Sequence, residues 1–131
     1  MRVISWRTTV LGLLSWAIPF VVSFAFVDRS GQWVVPYDLF KSIMVVVFGG
    51  LGSWFLVLAF RGVTPAWRSG LKLGLYWLAI NLALDLIVLV PLTGMTVVAY
   101  FYDIGLRYLL IPIIATAMGA AVERSAGEPT D

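Results

Sequence analysis

A carboxylate lies inside a long apolar run of this chain. Asp85 sits within NLALDLIVLVP, residues 81–91, and Asn81 precedes it by one helical turn, so that the two side chains share one face of a helix. On a lipid-facing surface a carboxylate costs roughly 2.5 to 3.5 kcal/mol. Asp85 is therefore expected to face other helices, a partner chain or water. There it could bind a proton, a cation or a cationic solute, with Asn81 as a hydrogen-bond partner.

A cation is expected at a similar depth. Arg107 lies about 8 Å beyond the aromatic residues that open the last apolar segment, and Asp85 lies about 10 Å before the end of the preceding one. A tight turn joins these segments and makes them antiparallel, so the sequence predicts a buried pair of Asp85 with Arg107. Asp103, four residues before Arg107, could share the guanidinium. Lys41 is a second cation for the same cluster.

Two structural interpretations compete with a functional site. The pair of Asp85 with Arg107 could simply lock a helical hairpin, since paired charges often only fix geometry. Alternatively, Arg107 could extend to the interface and bond only Asp103. Tyr76 and Tyr108 are further hydrogen-bond partners in either case.

The composition indicates an integral membrane protein. Of 131 residues, 61% are hydrophobic and 12% are charged, with a mean hydropathy of +0.97, whereas a soluble domain carries about 25% charged residues. The absence of cysteine and histidine excludes disulfides, thiol chemistry, the usual zinc sites, His- or Cys-ligated haem and Ser-His-Asp catalysis. A formal charge of +2 is too small to indicate nucleic-acid binding. No cofactor and no metal site are expected.

Four segments are long enough to cross a bilayer, which takes about 20 apolar residues in a helix. They are 8–27, 37–60, 71–92 and 97–122, with Pro36 suited to a helix start and Thr96 to an N-cap. The short connections predict an all-α, up-down four-helix bundle in a single domain. Residues 123–131 are expected to form a disordered tail.

The distribution of positive charge predicts the orientation. With a cytoplasmic N-terminus, six cations fall inside and two outside, which favours both termini in the cytoplasm. The inner set is Arg2, Arg7, Arg61, Arg68, Lys72 and Arg124, and the outer set is Arg29 and Lys41. The expected location is the cytoplasmic (inner) membrane of a prokaryote. The first segment also resembles a cleavable signal peptide, although its apolar run is long for one.

Small residues on three segments predict close helix packing, within the bundle or between copies. Gly49 and Ser53 are spaced by four residues in the second segment, a spacing that lets another helix approach. The first segment carries Gly12, Ser15, Pro19 and Ser23 near one face, and the last carries Ala115, Ala117, Gly119 and Ala121.

Three stretches carry a resemblance. VPYDLFKSIMVV, LYWLAINLALDLIVLVPLTGM and YFYDIGLRYLLIPII resemble the corresponding runs of small four-span integral membrane proteins of bacteria and archaea, over residues 30–120. No established activity is attached to that group. The resemblance therefore implies a topology and no mechanism.

Three functions remain in competition. The preferred one is a small transporter or channel subunit for protons, ions or a small solute, assembled from two or more copies. Its expected site residues are Asp85, Asn81, Arg107, Asp103 and Lys41. A cavity that reaches Asp85 would favour this function. The alternative is a structural or accessory protein that binds another membrane protein or lipid and has a dry, satisfied core. An enzyme is least expected, because the groups for acid-base work are sparse.

Overall fold

The computed structural model describes residues 2–127 as five helices, and this part of the chain contains no β-strand. The helices are α1 (Trp6–Phe26), α2 (Tyr37–Phe60), α3 (Trp67–Thr93), α4 (Val97–Asp103) and α5 (Gly105–Gly127). All except α4 are long and apolar enough to cross a membrane. The all-helical fold and the four apolar spans predicted from the sequence are confirmed.

The last predicted segment, 97–122, is wrong as a single helix. The chain turns at Ile104, where φ is −132° and ψ is −53°, so α4 ends and α5 starts in a new direction. The turn brings the Gly105 backbone against two rings: a Cβ there would lie 2.6 Å from Phe101 and 3.1 Å from Tyr100. Only glycine fits this position without moving a neighbour, and the sequence pattern alone did not reveal that requirement.

The tail also differs from its prediction. Helix α5 continues through residues 123–127, which were expected to be disordered, and residues 128–131 lie outside the described part of the chain. The Glu123 carboxylate accepts a hydrogen bond of 3.1 Å from the backbone N–H of Trp67 at the start of α3. This contact satisfies one of the free N–H groups of a helix start and ties the end of α5 to it.

The four long helices form a ring in the order α1, α2, α5, α3. Contacts such as Trp77 with Thr8 and Trp16 with Asp85 show that α1 and α3 run parallel, whereas α3 and α5 are antiparallel. Helices α2 and α3 lie diagonally across the bundle although only residues 61–66 join them. Short connections usually make consecutive helices antiparallel packing neighbours, and this pair departs from that rule.

Helices α3 and α5 make the closest contact of the bundle. Gly70 and Gly74 of α3 lie directly against the α5 backbone, at Ala115 and Pro112, and Gly119 of α5 lies against the backbone of Ala66. A β-carbon at any of these three glycines would overlap backbone atoms of the opposite helix. Because glycine has no side chain, these three positions let the two helix backbones approach each other closely.

Replacing Gly74 by alanine is expected to lower the free energy of unfolding by about 1 to 3 kcal/mol, because the added methyl group forces the two helices apart. Gly50→Ala is the matched control, since an added Cβ there meets no atom within 4 Å and alanine favours the helix. Thermal unfolding of both variants in detergent measures the difference. Equal stability of the two variants would show that α3 and α5 can move apart to accommodate the methyl group at little cost in free energy.

The close packing predicted for the small residues is found within this bundle for part of the set on α1 and on α5. Gly12, Ser15 and Pro19 of α1 and Ala115 and Gly119 of α5 are buried, whereas Ser23 is half-buried and Ala117 and Ala121 are exposed. On α2, in contrast, a Cβ added at Gly49, Gly50 or Gly52 meets nothing within 4 Å among the described residues. The glycines of α2 do not serve close packing within one copy of the chain.

Candidate functional site

A half-enclosed cavity of about 620 Å³ occupies one end of the bundle. Its walls come from the C-terminal halves of α1 and α3, the N-terminal halves of α2 and α5, and residues of the connection between α1 and α2. Most of the lining is aromatic or aliphatic, and the charged residues in it are Asp85, Arg107 and Lys41. Three of the five predicted site residues therefore line one cavity.

Asp85 is almost completely buried, at 2% exposure, and two aromatic donors hold it. The indole Nε1 of Trp16 donates a hydrogen bond of 2.7 Å to Oδ1. The hydroxyl of Tyr100 donates one of 2.7 Å to Oδ2. An ionised carboxylate only accepts hydrogen bonds, and this arrangement supplies a donor to each oxygen. Tyr108 is a further neighbour of the carboxylate.

The predicted direct pair of Asp85 with Arg107 is not formed. Within residues 2–127 the only salt bridge joins Lys41 to Asp38, at 3.3 Å. Both Asp85 oxygens are taken by Trp16 and Tyr100, donors that carry no charge. The carboxylate is thus satisfied without a cation, and this is the physical reason why Arg107 is not drawn onto it.

The guanidinium of Arg107 lies in the cavity wall. No hydrogen bond or salt bridge from this side chain to another residue occurs in the described range 2–127. The same range shows no bond between Arg107 and Asp103, so the expected sharing of the guanidinium is absent as well. Lys41 also lines the cavity; its ammonium contacts Asp38, whose side chain is 95% exposed, and lies 4.9 Å from the ring centre of Tyr37.

Asn81 is completely buried on the same face of α3 as Asp85, as predicted, but within residues 2–127 no hydrogen bond joins the two side chains. Its amide donates to the carbonyl of Trp77 at 2.9 Å and to Ser15 Oγ at 3.3 Å. Its Oδ1 is buried and has no hydrogen-bond partner. Tyr76, another predicted partner, bonds instead to Thr9 at 2.7 Å. These polar groups connect α1 with α3 below the cavity.

Asp85 also opens a π-helical turn. Residues Asp85–Leu89 are π-helical, and the carbonyl of Asp85 accepts from the backbone N–H of Val90, five residues later. Such turns are rare and frequently occur at functional sites. Pro91 follows at once and supplies no N–H, so the end of α3 that carries the cavity residues Leu92 and Thr93 has fewer helical hydrogen bonds than the rest.

The connection between α1 and α2 forms part of the rim. Asp28 Oδ1 accepts from the Ser30 hydroxyl at 2.6 Å, from the Ser30 amide at 2.8 Å and from the Gln32 amide at 2.9 Å. The Ser30 hydroxyl, followed by the Gln32 amide, holds the pKa of the exposed Asp28 carboxyl below its usual range. These bonds are complete at neutral pH and weaken as the pH falls through that lowered pKa, and they fix Gly31 and Trp33 at the cavity.

Sequence reasoning missed the two residues that hold Asp85. Trp16 has the type of a lipid-facing anchor. Tyr100, one of the aromatic residues that open the last apolar segment, has the type of an interfacial residue but is completely buried. A usable signal did exist for Trp16. It is adjacent to Ser15, on the small-residue face of α1 that packs inward. For Tyr100 no such signal exists. Its contact with Asp85 depends on the break at Ile104, which the sequence pattern did not predict.

No group of three or more His, Cys, Asp or Glu side chains within residues 2–127 is placed to hold a metal ion. Comparison of the chain with protein-family models, with curated proteins and with solved structures gave no match. The site is therefore interpreted from its own geometry.

Proposed function

We propose that this protein is a small membrane transporter or channel subunit that binds a small solute in the cavity beside Asp85. The observation that carries the proposal is the cavity itself. Its volume of about 620 Å³ lies in the range of about 300 to 1,000 Å³ that is typical of small-molecule sites. An apolar lining with a few convergent polar groups is also typical of such sites.

The proposed setting is a cytoplasmic (inner) membrane of a prokaryote. Four helices have the length and composition for it, and the excess of Lys and Arg on one side supports an orientation with both termini in the cytoplasm. The cavity then opens in the outer half of the bundle, where the connection between α1 and α2 lies. The opposite half, around Leu73, Trp77 and Leu56, is tightly packed and closes the path toward the cytoplasm in this conformation.

Assembly into a homo-oligomer is part of the proposal. One bundle of four helices encloses the cavity only partly, and the glycines of α2 leave a surface that another helix can approach closely. The close contact of α3 with α5 supports the alternative, a purely structural or accessory role. That role does not account for the cavity or for the charged side chains in its wall.

A large side chain placed inside the cavity tests whether the solute passes through it. Val45 lines the cavity, whereas its neighbour Val46 on α2 is 73% exposed and lies outside the lining. In liposomes carrying purified protein, flux is measured first for protons under a pH gradient, then for monovalent ions and small organic solutes. Val45→Trp is expected to reduce the flux to that of empty liposomes, and Val46→Trp is expected to keep it close to wild type.

The matched pair separates blocking from misfolding, since both variants add the same side chain to the same helix. Size-exclusion chromatography and circular dichroism check that each is folded. Wild-type flux that survives unchanged in a folded Val45→Trp variant would contradict a path through this cavity, and the structural role would then be preferred.

A further inference from the structure

We infer that the solute carries an anionic group on an apolar, ring- or chain-bearing body, and that Arg107 is the residue that binds the anion. This inference rests on the proposed function, because it names the chemical class of the solute bound in the same cavity. Three observations carry it: the satisfied state of the other charged groups in the wall, the guanidinium of Arg107, which has no partner among residues 2–127, and the aromatic lining.

The charged groups of the wall differ in how far protein partners satisfy them. Lys41 pairs with Asp38, and both Asp85 oxygens already accept short hydrogen bonds from Trp16 and Tyr100. A cationic solute would have to compete with these donors for Asp85 and would face Arg107 in the same wall. An anion meets no such competition at Arg107.

Arg107 is the more suitable of the two cations. Lys41 is already occupied by Asp38 and by the Tyr37 ring, whereas the Arg107 side chain has no acceptor among residues 2–127. A guanidinium presents its N–H groups as a planar fork that matches a carboxylate or a phosphate with two parallel hydrogen bonds. At the cavity wall, away from full hydration, such a bond is stronger than in water.

The remainder of the lining indicates what the anion is attached to. On α1, Trp16 stacks on Phe20 with ring centres 4.6 Å apart, and Phe24 meets Phe20 edge to face. Trp33 of the connection packs against Phe40 of α2, with ring centres 4.6 Å apart. A small inorganic anion would leave these rings unused. An amphiphilic anion covers them with its apolar body while its head reaches Arg107.

Two sources supply this chemistry: a soluble amphiphilic anion and an anionic lipid. The protein is placed in phosphatidylcholine nanodiscs, and binding of radiolabelled octanoate is measured against empty nanodiscs. Octylammonium and octanol, which share the chain but differ in the head group, are measured in the same way. Octanoate is expected to bind saturably and at least about tenfold more tightly than either, the difference typical of a charged hydrogen bond.

The variants assign the anion to its residue. Arg107→Gln is expected to weaken octanoate binding at least about tenfold and to leave octanol binding unchanged, whereas Arg107→Lys retains the charge and most of the affinity. Arg61→Gln, an exposed change outside the cavity wall, is the control and should bind octanoate as wild type does. Folding of each is checked by size-exclusion chromatography.

Added phosphatidylglycerol separates the two sources. If it displaces octanoate, an anionic lipid is the occupant; if it does not, the occupant is a soluble anion, and both results keep the inference. Equal binding of octanoate and octanol, unaffected by Arg107→Gln but abolished by Val45→Trp, would overturn the anionic class and leave the proposed solute cavity intact. Tighter binding of octylammonium would also overturn the anionic class. Failure of all three probes to bind would overturn the solute cavity as well.

Discussion

Replacing Asp85 by leucine is expected to destabilise the protein by about 2 to 5 kcal/mol. The Trp16 indole N–H and the Tyr100 hydroxyl each lose a hydrogen bond of 2.7 Å to the carboxylate. Both donors then face an apolar side chain. A buried donor left without an acceptor costs about 1 to 3 kcal/mol. Titration with SDS in mixed micelles measures the change in the free energy of unfolding.

Two comparisons make the result interpretable. Asp38→Leu removes a carboxylate whose side chain is 95% exposed and is expected to change stability little, as surface ion pairs contribute about 0 to 1 kcal/mol. Adding Tyr100→Phe to Asp85→Leu is expected to recover part of the loss, because removing both partners of a hydrogen bond costs less than removing one. If Asp85→Leu is as stable as wild type, the two hydrogen bonds do not support the fold.

Trp77→Ala is the substitution expected to cost the most, about 3 to 5 kcal/mol. The ring is completely buried among α1, α3 and α5. Its Nε1 donates a hydrogen bond of 2.8 Å to the carbonyl of Thr8, and its edge lies so close to Gly12 that a Cβ there would be 2.8 Å away. The loss of packing is expected in lipid as in water, since the truncated side chain leaves an internal void that the surroundings do not fill.

Trp54→Ala is the matched control for that prediction. Trp54 lies on α2 and is 57% exposed, so its truncation leaves no internal void and should cost far less. Trp77→Phe, which keeps an aromatic ring but lacks the N–H, is expected to fall between the two. The same SDS titration ranks the three variants. Equal losses at Trp77 and Trp54 would mean that the packed half of the bundle does not supply the main stability.

Sequence patterns located the helices well wherever composition changes sharply. Helix α2 begins at Tyr37 after Pro36 and ends at Phe60, as predicted. The Thr96 side chain caps α4 by accepting from the Ala99 amide at 3.1 Å, also as predicted. Proline, glycine and charged residues flank the long apolar runs, and they restrict where a helix can begin and end. The break at Ile104 is different, because it falls inside such a run and depends on a tertiary contact of Gly105.

The site was predicted in part. Spacing along a helix gives the depth of a residue and the face it shares with its neighbours. It predicted Asp85, Arg107 and Lys41 in one cluster, and the structure shows all three in the wall of one cavity. Spacing does not say which helix stands opposite that face. Because α3 also packs on α1 and the chain breaks at Ile104 after α4, Asp85 meets Trp16 and Tyr100 instead of a cation. The role of an aromatic residue, as anchor or as donor, follows from that arrangement and not from its type.

The π-helical turn at Asp85–Leu89 sets the rotational register of the end of α3. One residue corresponds to about 100° around a helix, and a π turn holds one more residue than the α-helical turn it replaces. The side chains of Val90–Thr93 are therefore rotated about the helix axis relative to the directions that an uninterrupted α-helix would give them. In this register Leu92 and Thr93 line the cavity. The single extra residue after Asp85 thus determines which side chains of the helix end reach the wall beside the carboxylate.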